Sequence, residues 1–196
     1  MYKNILFLFC LGLISCNDNF EQLPESSFQD TFLLKKIQTN KEIEYLRIDE
    51  IYGFTPIKKE EIGDYNLSLK ISIPEDQNYG SIFPSCQPMY CAYRIAYIEN
   101  NKWNFVTNYD ELKSFIGEID NEYEAFLIAR INDYEIDNTS DGNGFIKTKF
   151  GYKLKVMKYD ICPQIKQGFI IHVYKNGDFK EIKALDIYFK SHCIIY

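Results

Sequence analysis

Cysteine is the most informative of the residue types able to do chemistry in this 196-residue chain: six are present, against only two histidines. Zinc would need Cys and His at paired spacings that close a tetrahedron. Cys86 and Cys91 form a Cys-x4-Cys step with no second knuckle behind it, and His172 and His192 have no paired spacing, so no metal is expected. His172 and Glu181 lie on either side of Asn176-Gly177 and would face each other across a two-residue hairpin. A carboxylate beside imidazole favours the protonated ring and could make an acid/base pair. With no nucleophile placed nearby, the pair reads as a cross-strand polar contact, and no catalytic residue is assigned. The run from Asp137 to Gly144 imitates a calcium loop, with oxygen side chains and Gly142 at the sixth position, but Thr148 stands where the bidentate Glu belongs. It reads as a glycine-rich turn. Walker, dinucleotide-fingerprint, zincin and Gly-x-Ser-x-Gly patterns are all missing, so no cofactor is expected.

The remaining cysteine chemistry is at the N-terminus. Met1-Tyr2-Lys3-Asn4 carries one positive charge, an unbroken apolar run follows over residues 5 to 14, and Ser15-Cys16 ends it. A spanning helix needs about 20 apolar residues, so the run fits the apolar region of a secretory signal instead. Leu13-Ile14-Ser15-Cys16 resembles the lipobox of bacterial lipoproteins. That resemblance implies cleavage before Cys16, a diacylglyceryl thioether on its sulfur, and residues 1 to 15 as a removed signal. Two or three acyl chains anchor a protein where one would not. Residues 16 to 30 are polar, acidic and aperiodic and read as a flexible tether; fourteen extended residues would reach roughly 45 Å at about 3.3 Å each.

Export sets the expectation for the other thiols. With Cys10 removed and Cys16 lipidated, Cys86, Cys91, Cys162 and Cys193 remain, an even number suited to disulfides in an oxidising compartment. Four cysteines allow three connectivities. Pro84 and Pro88 put a turn around the first pair, which favours Cys86–Cys91 together with Cys162–Cys193.

Composition narrows the class. Charge −6 and pI near 5.1 without a basic stripe exclude phosphate-backbone binding as an expectation, so no nucleic-acid partner is predicted. Losing Lys3 with the signal takes the charge from −6 to −7. Sixteen Tyr and fifteen Phe could stack on sugars, but they read first as core and half-exposed strand residues.

The elements that would position these residues follow from periodicity. Residues 44 to 48 alternate as a strand, and so do residues 66 to 73, where Leu67, Leu69, Ile71 and Ile73 would share one face. Residues 93 to 99 and 103 to 106 flank a polar turn and read as a hairpin. Asn108 with Glu111 and Asn121 with Glu124 are capping-box start signals for two helices broken near residues 117 to 120, or for one kinked helix, the first segment burying Leu112, Phe115, Ile116 and Ile119. The last third reads as a meander over residues 152–159, 168–175, 178–183 and 187–189. A type I′ turn at Asn176-Gly177 would set Tyr174 opposite Phe179, Ile171 opposite Ile182 and His172 opposite Glu181.

A single α+β domain over residues 31 to 196 is expected, an antiparallel sheet with a helical pair on one face and a C-terminal meander. Over residues 108 to 190 the element order resembles small cystatin-like or PepSY-like domains of exported bacterial proteins, a likeness of architecture without a diagnostic motif. The whole chain is similar to uncharacterised bacterial lipoproteins. The expected function is a membrane-anchored envelope lipoprotein with a non-enzymatic binding domain, its partners the membrane through Cys16 and an envelope protein or glycan. The alternatives are an envelope-polymer hydrolase using loop carboxylates, or an immunity or inhibitor lipoprotein. Periplasmic and outer-membrane faces both fit.

Overall fold

Two antiparallel sheets share one core in the computed structural model, which describes residues 19–53, 55–73, 80, 82–85 and 91–193. The first sheet holds β1 (Tyr45–Tyr52), β2 (Thr55–Gly63), β3 (Ile82–Ser85), β4 (Cys91–Glu99) and β5 (Lys102–Val106). β1 pairs with β4 along its whole length, so β3 and β5 divide the other edge of β4 between them. The second sheet is a four-stranded meander of β6 (Gly144–Thr148), β7 (Gly151–Ile161), β8 (Gln164–Tyr174) and β9 (Phe179–Ser191), in that order. The fold is α+β with a C-terminal meander, as the sequence predicts.

The helical pair fills the space that both sheets need covered. α3 (Tyr109–Ile116) follows α1 (Asp30–Lys35) and α2 (Tyr65–Lys70), and α4 (Glu122–Ile131) comes next. Asn108 caps α3 by accepting from Glu111 N, while Glu111 Oε2 takes up the N–H and hydroxyl of Thr107. Gly117, at φ 74°, ends α3 in a region other residues avoid. Asn121 and Glu124 complete a reciprocal capping box for α4. Leu112, Phe115, Ile116, Ile119, Phe126 and Leu127 then bury against Ile48, Ile95 and Tyr97 on one side and Tyr152, Leu154, Ile171 and Val173 on the other. Fully burying such side chains contributes about 1.5–3 kcal/mol each, so this joint is the main source of cohesion.

Local chemistry overrides pattern between residues 65 and 73. The alternation there predicts a strand, but α2 forms instead, because the Asp64 side chain accepts from Asn66 N and caps a helical turn directly after β2. Leu69 is left 67% exposed, and the Ile71 carbonyl accepts from Trp103 Nε1 rather than from a neighbouring strand.

The segment expected to be part of a tether is held to the domain from residue 21. Glu21 makes a two-way backbone bridge with Phe145, on the outer edge of β6. Leu23 is buried, and the Asn143 amide closes on its backbone from both sides, accepting from Leu23 N and donating to Leu23 O, each at 3.0 Å. A 3-10 turn at Glu25–Phe28 leads into α1, whose Leu33 and Leu34 enter the core. Only five steps separate Glu21 from Cys16, a reach of roughly 17 Å rather than 45 Å.

The second hairpin shifts register by one. Gly177 N donates to Tyr174 O, Tyr174 N donates to Asp178 O, and Gly177 has φ 81°. That is a three-residue loop, a type I turn closed by a glycine bulge, not the expected two-residue type I′ turn. Val173 therefore faces Phe179, His172 faces Lys180 and Ile171 faces Glu181. Further along, β9 keeps pairing through three bulges, which join the two short segments read from sequence into one strand of 13 residues.

Candidate functional site

A cleft of ≈ 480 Å³ opens where α4 and β7 meet β3, lined by Phe83, Tyr109, Arg130, Asp133, Lys158 and Asp160 among others. Its charges are largely committed. Arg130, projecting from the last turn of α4, makes a bidentate pair with Asp30 of α1 at 3.0 and 3.2 Å, lies 3.8 Å from Glu135, and sits over the Phe83 ring. Lys158 Nζ lies 4.4 Å from the centroid of Tyr134 and 5.5 Å from that of Phe169. Burial pushes the Tyr109 hydroxyl above its ordinary range. Among the described residues the lining has acids and bases for holding a polar ligand, and no serine, cysteine or histidine to attack one.

Glu124 is a completely buried carboxyl with a structural task. Burial pushes its pKa up, and backbone N–H groups of Gln38, Asp120 and Asn121 pull against that shift. It ties α4 to the chain entering β1. On the face of the first sheet turned away from the helices, Asp49 of β1 and Arg94 of β4 are opposite each other, both essentially inaccessible. Arg94 Nε donates to Asp49 Oδ2 at 2.9 Å, and Arg47 adds a hydrogen bond from Nη2 at 3.0 Å and a charge contact from Nε at 2.8 Å.

The residues singled out from sequence are scattered. His172 and Glu181 do not meet: the one-residue shift puts them on opposite faces of β8 and β9. Glu181 accepts from the Tyr134 hydroxyl at 2.6 Å, while His172 Nε2 is 3.1 Å from Thr148 Oγ1. Burial and the charge of Lys153 hold the His172 imidazole below its usual value. The calcium-like loop is structural. Asp137 accepts from the Tyr188 hydroxyl and Asn138 N and is paired with the Lys166 ammonium, and Asn143 is spent on Leu23. Among the described residues no group of three or more His, Cys, Asp or Glu could hold a metal. Cys162 and Cys193 form a disulfide between the start of the β7–β8 turn and the C-terminus. Cys91 is also disulfide-bonded; Cys86, expected as its partner, lies outside the described residues, as does Cys16.

The sequence reading missed a cluster on the outer face of the meander. Lys153, His172 and Lys180 sit in register across β7, β8 and β9, beside a second row containing Lys155 and Lys183. Its members come from segments as far apart as residues 153 and 183, so no local run of basic residues betrays it. Among the described residues no helix is long and apolar enough to cross a membrane. No protein-family model, curated protein or solved structure matches the chain.

Proposed function

We propose that this chain is a cell-envelope lipoprotein: residues 1 to 15 direct export and are cut away, Cys16 carries the lipid, and the α+β domain is a binding module held beside the membrane. The observation that carries the reading is the order of a charged start, a ten-residue apolar run and Leu13-Ile14-Ser15-Cys16. Disulfide chemistry at Cys162–Cys193 and at Cys91 is that of an oxidising compartment.

Binding is favoured over catalysis by the cleft, whose Arg130 is engaged by Asp30 and whose Lys158 lies over aromatic rings. The edge strand β9 adds an interaction surface, with Phe179, Ile182, Ile187 and Phe189 each at least 39% exposed. Such a row of apolar side chains on a strand at the sheet's edge among the described residues suits a protein partner. The envelope-polymer hydrolase draws on one observation, that Asp133, Glu135 and Asp160 line the same cleft. Glycan turnover lost in both Asp133→Asn and Asp160→Asn would select it.

The anchor is tested by Cys16→Ala. The variant should leave the membrane fraction and lose lipid labelling, and a variant that still fractionates with membrane overturns the reading.

A further inference from the structure

We propose that the outer edge of β2 is an interface between two copies of this chain, each strand pairing antiparallel with its counterpart about a two-fold axis between Lys59 and Glu60. Neither the anchor nor the cleft is needed for it.

The order of side chains along this edge is complementary to itself. Ile57-Lys58-Lys59-Glu60-Glu61-Ile62, run against a second copy in the opposite direction, sets Ile57 opposite Ile62, Lys58 opposite Glu61 and Lys59 opposite Glu60. Two-fold symmetry makes each match occur twice, so the two charge matches become four and no like charges are directly opposed.

A regular strand would be barred from this alignment. Side chains alternate between faces and directly opposed residues share one, so a centre falling between two residues would oppose side chains that point apart. The bulge in β2 removes the obstacle. The register with β1 jumps from Ile48–Glu60 to Asp49–Lys58, which leaves Lys59 as an extra residue beside Glu60. Lys58 and Glu61 therefore lie on one face, where they pair at 2.9 Å, while Lys59 and Glu60 lie on the other with Glu50 and Lys35 as partners. Ile57 and Ile62, opposite Glu50 and Leu46 of β1, share that second face. Every proposed match joins side chains on the same side of the sheet.

The backbone is set for the same alignment. Asp64 N donates to Glu44 O, so alternation along the antiparallel pair turns the peptide groups of Glu61 outward and, past the bulge, those of Lys58. These are the residues that would exchange hydrogen bonds across the axis. Among the described residues no strand pairs with this edge, since β2 ends the order of its sheet. α2 leaves the edge open: the chain after it crosses the sheet, where the Ile71 carbonyl accepts from Trp103 Nε1 of β5. Ile57 and Ile62 are 44% and 48% exposed, and the four charged side chains are each more than a third exposed. The ion pairs inside one copy are kept on docking. A second copy adds to them, closing Lys58 and Glu61 of both chains into a ring of alternating sign. Against an unrelated strand the same charges act as a guard.

Sedimentation of the full chain in mild detergent, with micelles in excess, reads the self-association. The wild type should dimerise reversibly as concentration rises. Lys58→Glu with Lys59→Glu, and separately Glu60→Lys with Glu61→Lys, give edges of one sign that should self-associate at least about tenfold more weakly, through loss of four cross-strand pairs. Mixing the two variants should restore dimers, because an acidic edge then meets a basic one. For the register, Ile57→Cys and Ile62→Cys chains should form a disulfide-linked dimer when mixed under oxidising conditions and not when alone, their Cα atoms lying about 4.5 Å apart across the interface. A wild type that stays monomeric at every attainable concentration overturns the proposal. Dimers that persist in both one-signed variants overturn it by placing the contact on another surface, and so does failure of the mixed variants to pair when circular dichroism shows both folded. Crosslinking of Ile57→Cys with itself in preference to Ile62→Cys overturns the register.

Discussion

The two sheets handle charge on their outer faces in opposite ways. In the first, Asp49 is enclosed with Arg94 and Arg47, so the charges are taken out of water and answered by one another. In the meander, Lys153, Lys155, Lys180 and Lys183 share a face with no acid in their rows. Burying an ion is tolerated only beside a counter-charge, whereas repelling charges persist cheaply where water or an external surface screens them. One face pairs its charges within two neighbouring strands; the other spaces its lysines on β7 and β9 with β8 between them.

Breaking the closed face should have the largest effect. Asp49→Ala leaves two arginines without their carboxylate, one of them buried, at a cost of about 3–5 kcal/mol, or a melting point lower by roughly 10 °C. Replacing both partners, Asp49→Leu with Arg94→Met, should cost less than the single change, as calorimetry on the two variants would show. A single variant as stable as the wild type would mean that this network is not what closes the sheet.

An intermediate effect is expected where the open face begins to close itself, at Asp137. Burial raises that carboxyl, but bonds from Tyr188, Asn138 N and Lys166 outweigh it and hold the pKa below the ordinary 3.8. A depressed folded value means the contribution is complete above pH 3.8 and is lost as pH falls through the folded value. Asp137→Asn should therefore destabilise by about 2 kcal/mol near neutrality, the scale of hydrogen bonds to a charged group. Melting curves of the two proteins should converge in acid; a gap that stays constant with pH would assign the loss to packing.

The smallest effect sharpens the register of the open face. Lys153→Gln should move the His172 midpoint upward toward 6.5 by NMR, since Lys153 is one of the two causes holding it down. Glu181→Gln should leave it unchanged, because Glu181 sits across from Ile171 and bonds Tyr134. A response to Glu181 and none to Lys153 would restore the two-residue hairpin.

What could be read in the sequence was what neighbours in the chain decide. The capping boxes at Asn108 and Asn121, the helical stripe of Leu112, Phe115 and Ile116, and the hairpin around Asn100 depend on side chains within a few residues of each other. Asn100 and Asn101, at φ 54° and 57°, make the two-residue turn that Asn176-Gly177 does not. Both pairs tolerate positive φ, and strand pairing chooses between the loop lengths, so the sequence pattern alone misplaced Phe179 and Glu181 by one position. Residues 66 to 73 failed for the reverse reason: Asp64 acts within two residues, and the alternation of Leu67, Leu69 and Ile71 drew the eye past it. Asn143 on Leu23 and the row of Lys153, His172 and Lys180 join distant segments, which no window of sequence contains. The same holds for Arg130 with Asp30.

The three bulges of β9 have a further consequence. Thirteen residues of straight outer strand would offer a second molecule a long template for ladder formation, and apolar Ile182, Ile187 and Phe189 would reward it. Each extra residue bends the strand and throws its amides out of phase, so that only short runs of the rim are in step at once. Molecules crowded side by side thus meet rims that do not match for long enough to zip into fibres.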